Sequence, residues 1–244
     1  TTDDTCLSRS LCTNTSNTLP PFPWLQTLYP VWANLDPDVH RAATKLALAE
    51  LLLSGCTTAS DHHYLFPANL TDAIDHQIEI GQQMGVRVAM TRGSMSLGQD
   101  QGGLPPNTVV QTEDEILQDS ERLVSRYHDS EPYSMSQIAL APCSPFSVTT
   151  ALMRDTAILA KQLNVRLHTH LAETIDEENF CERSFGMRTV DYLESVGWLS
   201  DKTWLAHGIH FNDEEIARLG RAGVGVCHCP SSNMVLSSGI CPIT

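Results

Sequence analysis

The sequence predicts an α/β fold, and within that class an incomplete (β/α)₈ barrel of the TIM type. Short strand-like segments alternate with helical segments from residue 36 onward, which is typical of βαβ units and a parallel sheet. Polar residues recur at the C-terminal ends of these strands, where a barrel collects its active site. Six strands are visible, whereas a closed barrel of this type needs eight.

The elements follow one another as helix and strand. The first helix is predicted over residues 37–54, because Asp36 suits the N-cap and Pro37 the first helical position, and Gly55 ends the pattern. Further helices are expected at residues 70–84, 113–128, 150–163, 177–185, 188–196 and 213–222. Strands are expected at residues 56–63, 86–91, 137–142, 165–172, 203–208 and 224–230.

A doubly wound open sheet would show the same alternation. The barrel is preferred because its strand ends converge on one mouth, whereas an open sheet spreads them along an edge. No G-x-G-x-x-G or Walker sequence follows any strand, which removes the usual reason for an open nucleotide-binding sheet. The strand-end polar residues are Asp61, His62, His63, Arg92, Cys143, Ser144, His168, His170, Glu173, His207, His210, His228, Ser231 and Asn233.

Two segments fall outside the alternation. Residues 1–23 are rich in Ser, Thr and Asn without periodicity, so we expect an irregular, non-native N-terminal segment followed by a partial barrel domain over residues 24–244. Residues 97–108 form a Gly- and Pro-rich loop. This loop is long enough to be a lid over the barrel mouth, and a surface loop without a role explains it equally well.

Composition excludes several classes of partner. The net charge of −14 argues against binding to nucleic acid, which needs clustered Lys and Arg. Eight cysteines without regular spacing indicate reduced thiols rather than a disulfide framework. No apolar run approaches the ~18 residues of a membrane span, and no signal segment opens the chain. We therefore expect a cytoplasmic protein with no membrane partner.

The strand at residues 165–172 carries the clearest candidate site. Residues two apart face the same side of a strand, so Arg166, His168 and His170 are predicted to face the barrel interior. Glu173 follows the strand end, where a carboxylate can lie over a metal-bound water and move protons. A structural pair of histidines would explain the H-x-H pattern equally well.

Histidines also end the next two predicted strands. His207 is expected at the mouth beside His170, and His228 lies one strand further on with Ser231 and Asn233. Each of these residues alone is better explained as a capping or core polar group. Histidines at three neighbouring strand ends, however, indicate a shared site.

Other catalytic motifs are absent from the sequence. There is no H-E-x-x-H, no H-x-E with P-C-x-x-C and no G-x-S-x-G. A nucleophilic Cys143 beside one of the histidines is a third alternative. Its apolar, proline-flanked setting fits the wall of a site better.

Five blocks of sequence, in this order, resemble the amidohydrolase superfamily over residues 22–243. The most similar branch contains 8-oxoguanine deaminase, guanine deaminase and the triazine hydrolases. The resemblance implies a metal-dependent hydrolytic deaminase or amidohydrolase that acts on a C–N bond of a purine-like or triazine ring. The blocks are LSGCTTASDHHYLFP, LAPCSPFSV, HTHLAET, WLAHGIHFNDEEIARL and HCPSSNMVLSSGICP.

The resemblance also implies roles for individual residues. His170 would be a metal ligand, Glu173 the acid and base that moves protons, and His207 the histidine that orients the attacking water. One divalent ion, Zn²⁺ in preference to Fe²⁺, would be the cofactor and a small heterocycle the substrate. A homo-oligomer is compatible with the sequence, which carries no signal for it. The positions that match substrate-contacting walls are Cys143, His228, Ser231 and Asn233.

Two features of the superfamily are missing from the sequence. It lacks the H-x-H expected on the first barrel strand and the Asp expected on the eighth. We therefore expect a barrel fragment that spans strands two to seven and carries one corner of a four-ligand metal site. A non-catalytic barrel remnant that binds no metal is the alternative.

Overall fold

The computed structural model describes residues 21–243. Its helices are α1 (Pro21–Trp32), α2 (Pro37–Leu53), α3 (Ala73–Met84), α4 (Glu113–Tyr127), α5 (Thr150–Leu163), α6 (Ile175–Phe185), α7 (Thr189–Ser195), α8 (Asp213–Ala222) and α9 (Pro230–Val235). Its strands are β1 (Thr58–His63), β2 (Arg87–Ser94), β3 (Ser136–Pro142), β4 (Arg166–Leu171), β5 (Thr203–His207) and β6 (Gly225–Cys227).

Every helix and strand that the sequence predicts is present. Asp36 caps α2 by accepting a hydrogen bond from the amide of Val39 at 2.8 Å, and α3 ends at Gly85, whose φ is 68°. Helix α1 begins inside the segment predicted to be irregular, and residues 1–20 of that segment lie outside the described residues. Three prolines hide the helical pattern of α1 from sequence analysis, and the Pro, Ser and Asn residues of α9 hide the pattern of that helix.

The six strands pair in parallel in the order of the chain, from β1 to β6. A doubly wound sheet reverses its strand order at a switch point. Here each strand lies beside the one that precedes it, as in a barrel. Within the described residues β1 pairs only with β2 and β6 only with β5, so the sheet is an open arc.

The sheet is strongly curved. Three strand spacings separate β1 from β4, which would be about 14 Å in a flat sheet. The rings of His62 on β1 and His170 on β4 nevertheless stack with their centroids 4.5 Å apart. Nε2 of His62 also donates a hydrogen bond to the carbonyl of Ala141 on β3 at 2.9 Å. Side chains on the concave face therefore converge, as the barrel prediction requires.

Helices cover the convex face of the sheet. Helix α3 packs on β2, α4 on β2 and β3, and α5 on β3 and β4. Trp198 is fully buried, and its Nε1 donates to the carbonyl of Met153 on α5 at 2.9 Å. The thiols of Cys56, Cys143, Cys181 and Cys241 are free. Over residues 21–243, no helix combines the length and the apolar character that crossing a membrane requires.

One predicted interior residue is not enclosed. Arg166 occupies the first position of β4, where it is exposed and donates to the carbonyl of Asp201 at 3.1 Å. Its place at the first residue of β4 accounts for this exposure. A guanidinium is poorly suited to enclosure without a charged partner, and at this end of the strand it reaches water.

Candidate active site

Four histidine rings meet at the C-terminal ends of β1, β4 and β5. The ring of His62 lies 4.5 Å from that of His170 and 4.6 Å from that of His168. The rings of His170 and His207 are 5.4 Å apart. All four side chains are buried. The strand ends thus form one cluster, as the recurrence of polar residues at strand ends predicts.

His170 is held by the backbone at Cys143. Its Nδ1 donates to the carbonyl oxygen of Cys143 at 2.7 Å, whereas Sγ of Cys143 lies 3.8 Å from the same nitrogen. Because a carbonyl can only accept, the neutral ring carries its proton on Nδ1 and its lone pair on Nε2. Metal-binding histidines are usually held by a hydrogen bond of this kind.

His168 has a different environment from His170. Its Nδ1 donates to the carbonyl of Trp204 at 3.0 Å, and its ring stacks on the indole of Trp204 at 4.5 Å. These contacts fix the ring within the concave face of the sheet. His168 is therefore a core histidine on the same face as His170, as the sequence predicts.

An irregular backbone conformation at the end of β5 turns the His207 ring toward His170. His170 and Ala206 are register partners, so regular alternation would turn the next residue of β5, His207, toward the helices. His207 instead has a φ of 74°, in the left-handed region. This conformation costs a residue other than glycine roughly 1–2 kcal/mol. Such strain is concentrated at functional sites, and here it accompanies a ring that reaches His170.

Two partners flank the His207 ring. Nδ1 donates to Oδ1 of Asn233 at 2.8 Å. On the other side, Nε2 lies 3.7 Å from Oε2 of Glu173. That distance exceeds a direct hydrogen bond, so His207 and Glu173 are placed to contact a common atom between them. The Glu173 side chain is 15% exposed and reachable from solvent.

Glu173 is anchored through its backbone. Ala172, which precedes it, has a left-handed φ of 52°. The amide of Glu173 donates to Oε2 of Glu177 at 2.9 Å. Glu177 is almost completely buried, and burial raises its pKa to about 8. Glu177 and Glu178 lie in the acidic first turn of α6, and both are buried with specific partners.

The sequence also carries the signature of a known family. The sequence model of the amidohydrolase family matches residues 9–244. The chain belongs to the amidohydrolase family. Over 223 residues it is 66% identical to 8-oxoguanine deaminase of Pseudomonas aeruginosa, which covers 91% of this chain and 50% of that protein. It is 37% identical to hydroxydechloroatrazine ethylaminohydrolase of Pseudomonas sp. (strain ADP), over 90% of this chain and 46% of the relative.

Solved amidohydrolase structures share the fold. Atrazine chlorohydrolase from Arthrobacter aurescens TC1, complexed with zinc, aligns with a TM-score of 0.92 at 32% identity, over 98% of this chain and 54% of that one. An adenosine deaminase from Xanthomonas campestris with bound zinc aligns with a TM-score of 0.83 at 26% identity, over 98% of this chain and 50% of that one. The amidohydrolase chain thus spans about half the length of the proteins it matches.

The structure brings most of the predicted site residues together. Cys143, His170, Glu173, His207 and Asn233 form one connected cluster. Asn233 contacts His207, a role that the sequence does not predict for it. The two remaining candidates for substrate contact, which stay predictions, are exposed and lie after β6 and in α9: His228 and Ser231.

The sequence does not single out His62 as a site residue. Its ring stacks on His170, and Tyr64 lies edge-on to both rings at 5.4 and 5.9 Å. The signal is the pair His62-His63 at the end of a strand. Alternation sends one histidine to each face, and the ring of His63 lies 4.8 Å from that of His40 on α2. Sequence alone does not say which of the two faces inward.

His170, Glu173 and His207 are the candidate donors for a metal ion. His170 has the supported ring expected of a metal ligand, and Glu173 and His207 lie beside it. Among residues 21–243, however, no group of three or more His, Cys, Asp or Glu side chains is arranged to hold a metal ion. A stable zinc site needs at least three protein ligands. The described residues therefore fit one corner of such a site.

Proposed function

We propose that the protein containing this chain is a metal-dependent hydrolytic deaminase that acts on a C–N bond of a purine-like ring, with 8-oxoguanine or guanine as the first candidates and a triazine as the next. One observation carries this proposal: Glu173 and His207 face each other across 3.7 Å beside the supported ring of His170. The 66% identity to an 8-oxoguanine deaminase supports the substrate class.

The chemistry assigns a task to each of these side chains. A divalent metal ion, proposed to be Zn²⁺ and held in part by His170, would supply the charge that acidifies a water molecule. Glu173 accepts a proton from that water as its oxygen adds to the ring carbon. Glu173 then returns the proton to the amino nitrogen, the C–N bond breaks, and ammonia leaves while the ring keeps the oxygen.

His207 is suited to orient the attacking water. Its Nδ1 is occupied by the amide oxygen of Asn233, so the neutral ring presents the lone pair of Nε2 toward Glu173. A base with a fixed tautomer and a carboxylate can both contact one water molecule. The burial of His207 keeps bulk water from competing for that position.

Composition supports part of the setting of the enzyme. We propose a cytoplasmic protein that acts on free heterocycles, and a homo-oligomer, on which composition has no bearing. The net charge of −14 disfavours a nucleic acid partner, and the free thiols of Cys56, Cys143, Cys181 and Cys241 suit a reducing compartment.

A non-catalytic barrel remnant is the second candidate. It is favoured by the lack of a complete metal-ligand group among residues 21–243. Metal content separates the two functions. Zinc or iron bound at one ion per chain supports the deaminase, and a folded protein without metal after growth and dialysis in zinc supports the remnant.

The decisive experiment is ammonia release from a panel of 8-oxoguanine, guanine, adenine, cytosine and a hydroxytriazine. It uses both this chain and the longest natural protein that contains it. Glu173→Gln should abolish release, and Glu214→Gln, which alters an exposed acid on α8, should not. A folded, metal-loaded protein that releases ammonia from none of these rings would overturn the proposal.

A further inference from the structure

We propose that Glu177 is a positioning residue for catalysis: its buried carboxyl group holds the backbone of Glu173, so that the Glu173 side chain faces His207. This inference rests on the proposed function, because it assigns Glu173 a role in proton transfer. Glu177 lies in the first turn of α6 and does not contact the reacting atoms. It acts through one hydrogen bond, from the amide of Glu173 to Oε2 of Glu177 at 2.9 Å.

Two helices of the same chain show what a glutamate at this position normally does. The amide of Thr112 donates to Glu115 at 2.9 Å, and the amide of Asn212 donates to Glu215 at 2.8 Å. In both cases the third helical residue reaches back to the N-cap residue and closes a capping box. This arrangement stabilises the start of the helix, and Glu215 additionally accepts from Arg188 at 2.7 Å.

The corresponding pattern in α6 is used differently. Thr174 is the N-cap, and its hydroxyl accepts from the amide of Glu177 at 3.1 Å, as in a capping box. The Glu177 side chain, however, reaches past Thr174 to the amide of Glu173. The nearby amide of Ala172 also favours the charged form of this carboxyl group and so opposes the rise of its pKa. The glutamate therefore fixes the connection between β4 and α6 rather than the helix end.

Burying the Glu177 carboxyl group lowers the stability of the fold. Only 1% of Glu177 is exposed. Its second oxygen, Oε1, has no hydrogen-bond partner within the described residues. A buried polar atom without a partner destabilises a protein by roughly 1–3 kcal/mol. A capping role does not require this burial, since Glu115 caps α4 from an exposed position, and the buried Glu215 has Arg188 as a charged partner.

The contact also supports an unfavourable backbone. Ala172 adopts a left-handed φ of 52° immediately before Glu173, and such a conformation persists only where surrounding contacts determine it. Without an acceptor for the Glu173 amide, this turn would relax toward ordinary backbone geometry. The Glu173 carboxylate would then move relative to His207, and a displacement of about 1 Å can lower turnover about 100-fold.

Three variants test the inference in the longest natural protein that contains this chain. Glu177→Met keeps the volume but removes the acceptor, and it also removes the cost of burying a carboxyl group, so the variant should fold. We expect its kcat to fall at least about 10-fold with KM changed less than about 3-fold, because ring binding does not depend on this bond. Glu177→Gln retains an amide oxygen for the Glu173 amide and should restore kcat.

Glu178→Gln is the matched control. Glu178 is equally buried in the same helical turn, but it accepts from the hydroxyl of Thr189 at 2.6 Å and lies 3.5 Å from Arg188. This variant should lose stability without losing kcat. Hydrogen exchange tests the contact independently of turnover. The Glu173 amide should exchange faster than in wild type in Glu177→Met and at the wild-type rate in Glu178→Gln.

The outcomes are distinct. An active wild type with a Glu177→Met variant that keeps its kcat would overturn the positioning role and leave the proposed function standing. Equal loss of kcat in Glu177→Met and Glu177→Gln would also overturn it, because the amide oxygen would then be irrelevant. A wild type that releases no ammonia would overturn the proposed function, and the catalytic role of Glu177 with it.

Discussion

Nε2 of His207 and Oε2 of Glu173 lie 3.7 Å apart, on the ends of two adjacent strands. This separation is too long for a hydrogen bond and suits two groups that share a water molecule. We expect Glu173→Gln to reduce kcat for ammonia release by about 10²–10⁴-fold, the range for loss of a general acid and base. KM should change little, since the amide fills the same volume. A kcat within 10-fold of wild type would exclude Glu173 as the proton carrier.

Asn233 should fix the tautomer of His207. Asn233→Leu removes the acceptor from Nδ1, so both ring tautomers become accessible and turnover should fall about 10-fold or more. Asn233→Asp keeps an acceptor oxygen opposite Nδ1–H, so this variant should retain more turnover than Asn233→Leu. Ammonia release by the two variants measures the difference, and equal turnover would show that an acceptor at Nδ1 does not matter for catalysis.

Cys143 should be dispensable as a thiol. Its carbonyl oxygen holds His170 at 2.7 Å, and its Sγ is 3.8 Å from the same ring nitrogen. Cys143→Ser preserves the backbone contact, so ammonia release should stay within about 3-fold of wild type, whereas removal of a nucleophile costs orders of magnitude. Loss of all turnover in a correctly folded Cys143→Ser protein would revive the cysteine-based mechanism.

Asp75 should be a determinant of stability away from the site. It accepts from Arg122 at 2.9 and 2.7 Å and from the hydroxyl of Tyr127 at 2.7 Å. Burial alone would raise the pKa of Asp75, but the hydrogen bonds from Arg122 and Tyr127 and the charges of Arg122 and Arg126 hold it below its usual value. An acid with a depressed pKa stabilises the fold above its unfolded pKa, and this contribution is lost as pH falls through the folded pKa.

Asp75→Asn should therefore lower the free energy of unfolding on the order of 2 kcal/mol at pH 7, a value reduced for the exposure of Arg122. The difference from wild type should shrink at pH 3. Urea unfolding at both pH values measures it, with the exposed Glu131→Gln as control. An equal difference at both pH values would contradict the ionic origin.

The sequence predicts the fold well because its signals are local. The helix from Thr150 to Leu163 and the helix from Asp213 to Ala222 begin and end at the predicted residues, since caps and periodicity lie within the segments themselves. The cluster of His170, Glu173 and His207 is also predictable, because parallel strands bring their C-terminal ends to one edge.

The remaining contacts depend on information that a pattern does not contain. Asn233 contacts His207 because α9 folds back over β5, and no periodicity signals that short helix. Glu177 has the spacing of an ordinary capping box with Thr174, yet its carboxyl group binds one residue further back. The left-handed φ of His207 is set by its tertiary surroundings. Such features follow from packing, and sequence patterns report packing only indirectly.

The buried His40 ring should make stability depend on pH. Its ring is 1% exposed, and within residues 21–243 neither ring nitrogen has a hydrogen-bond partner. The rings of His63 and His76 lie 4.8 and 5.9 Å away. Burial, followed by the neighbouring His63, His76 and Arg41, lowers the pKa of His40 to about 2. The folded state thus keeps this ring neutral at pH values where the unfolded chain protonates it.

The sign of the effect follows from proton uptake. Between the unfolded pKa of about 6.5 and the folded value, the unfolded chain binds one more proton at His40, so stability falls as pH decreases through this window. His40→Leu removes that contribution and the two unpaired nitrogens. Its free energy of unfolding should decline less than that of wild type from pH 7 to pH 4.5, by about 2 kcal/mol. The exposed His228→Gln is the control, and a His40→Leu slope equal to that of wild type would mean that His40 has a polar partner in solution.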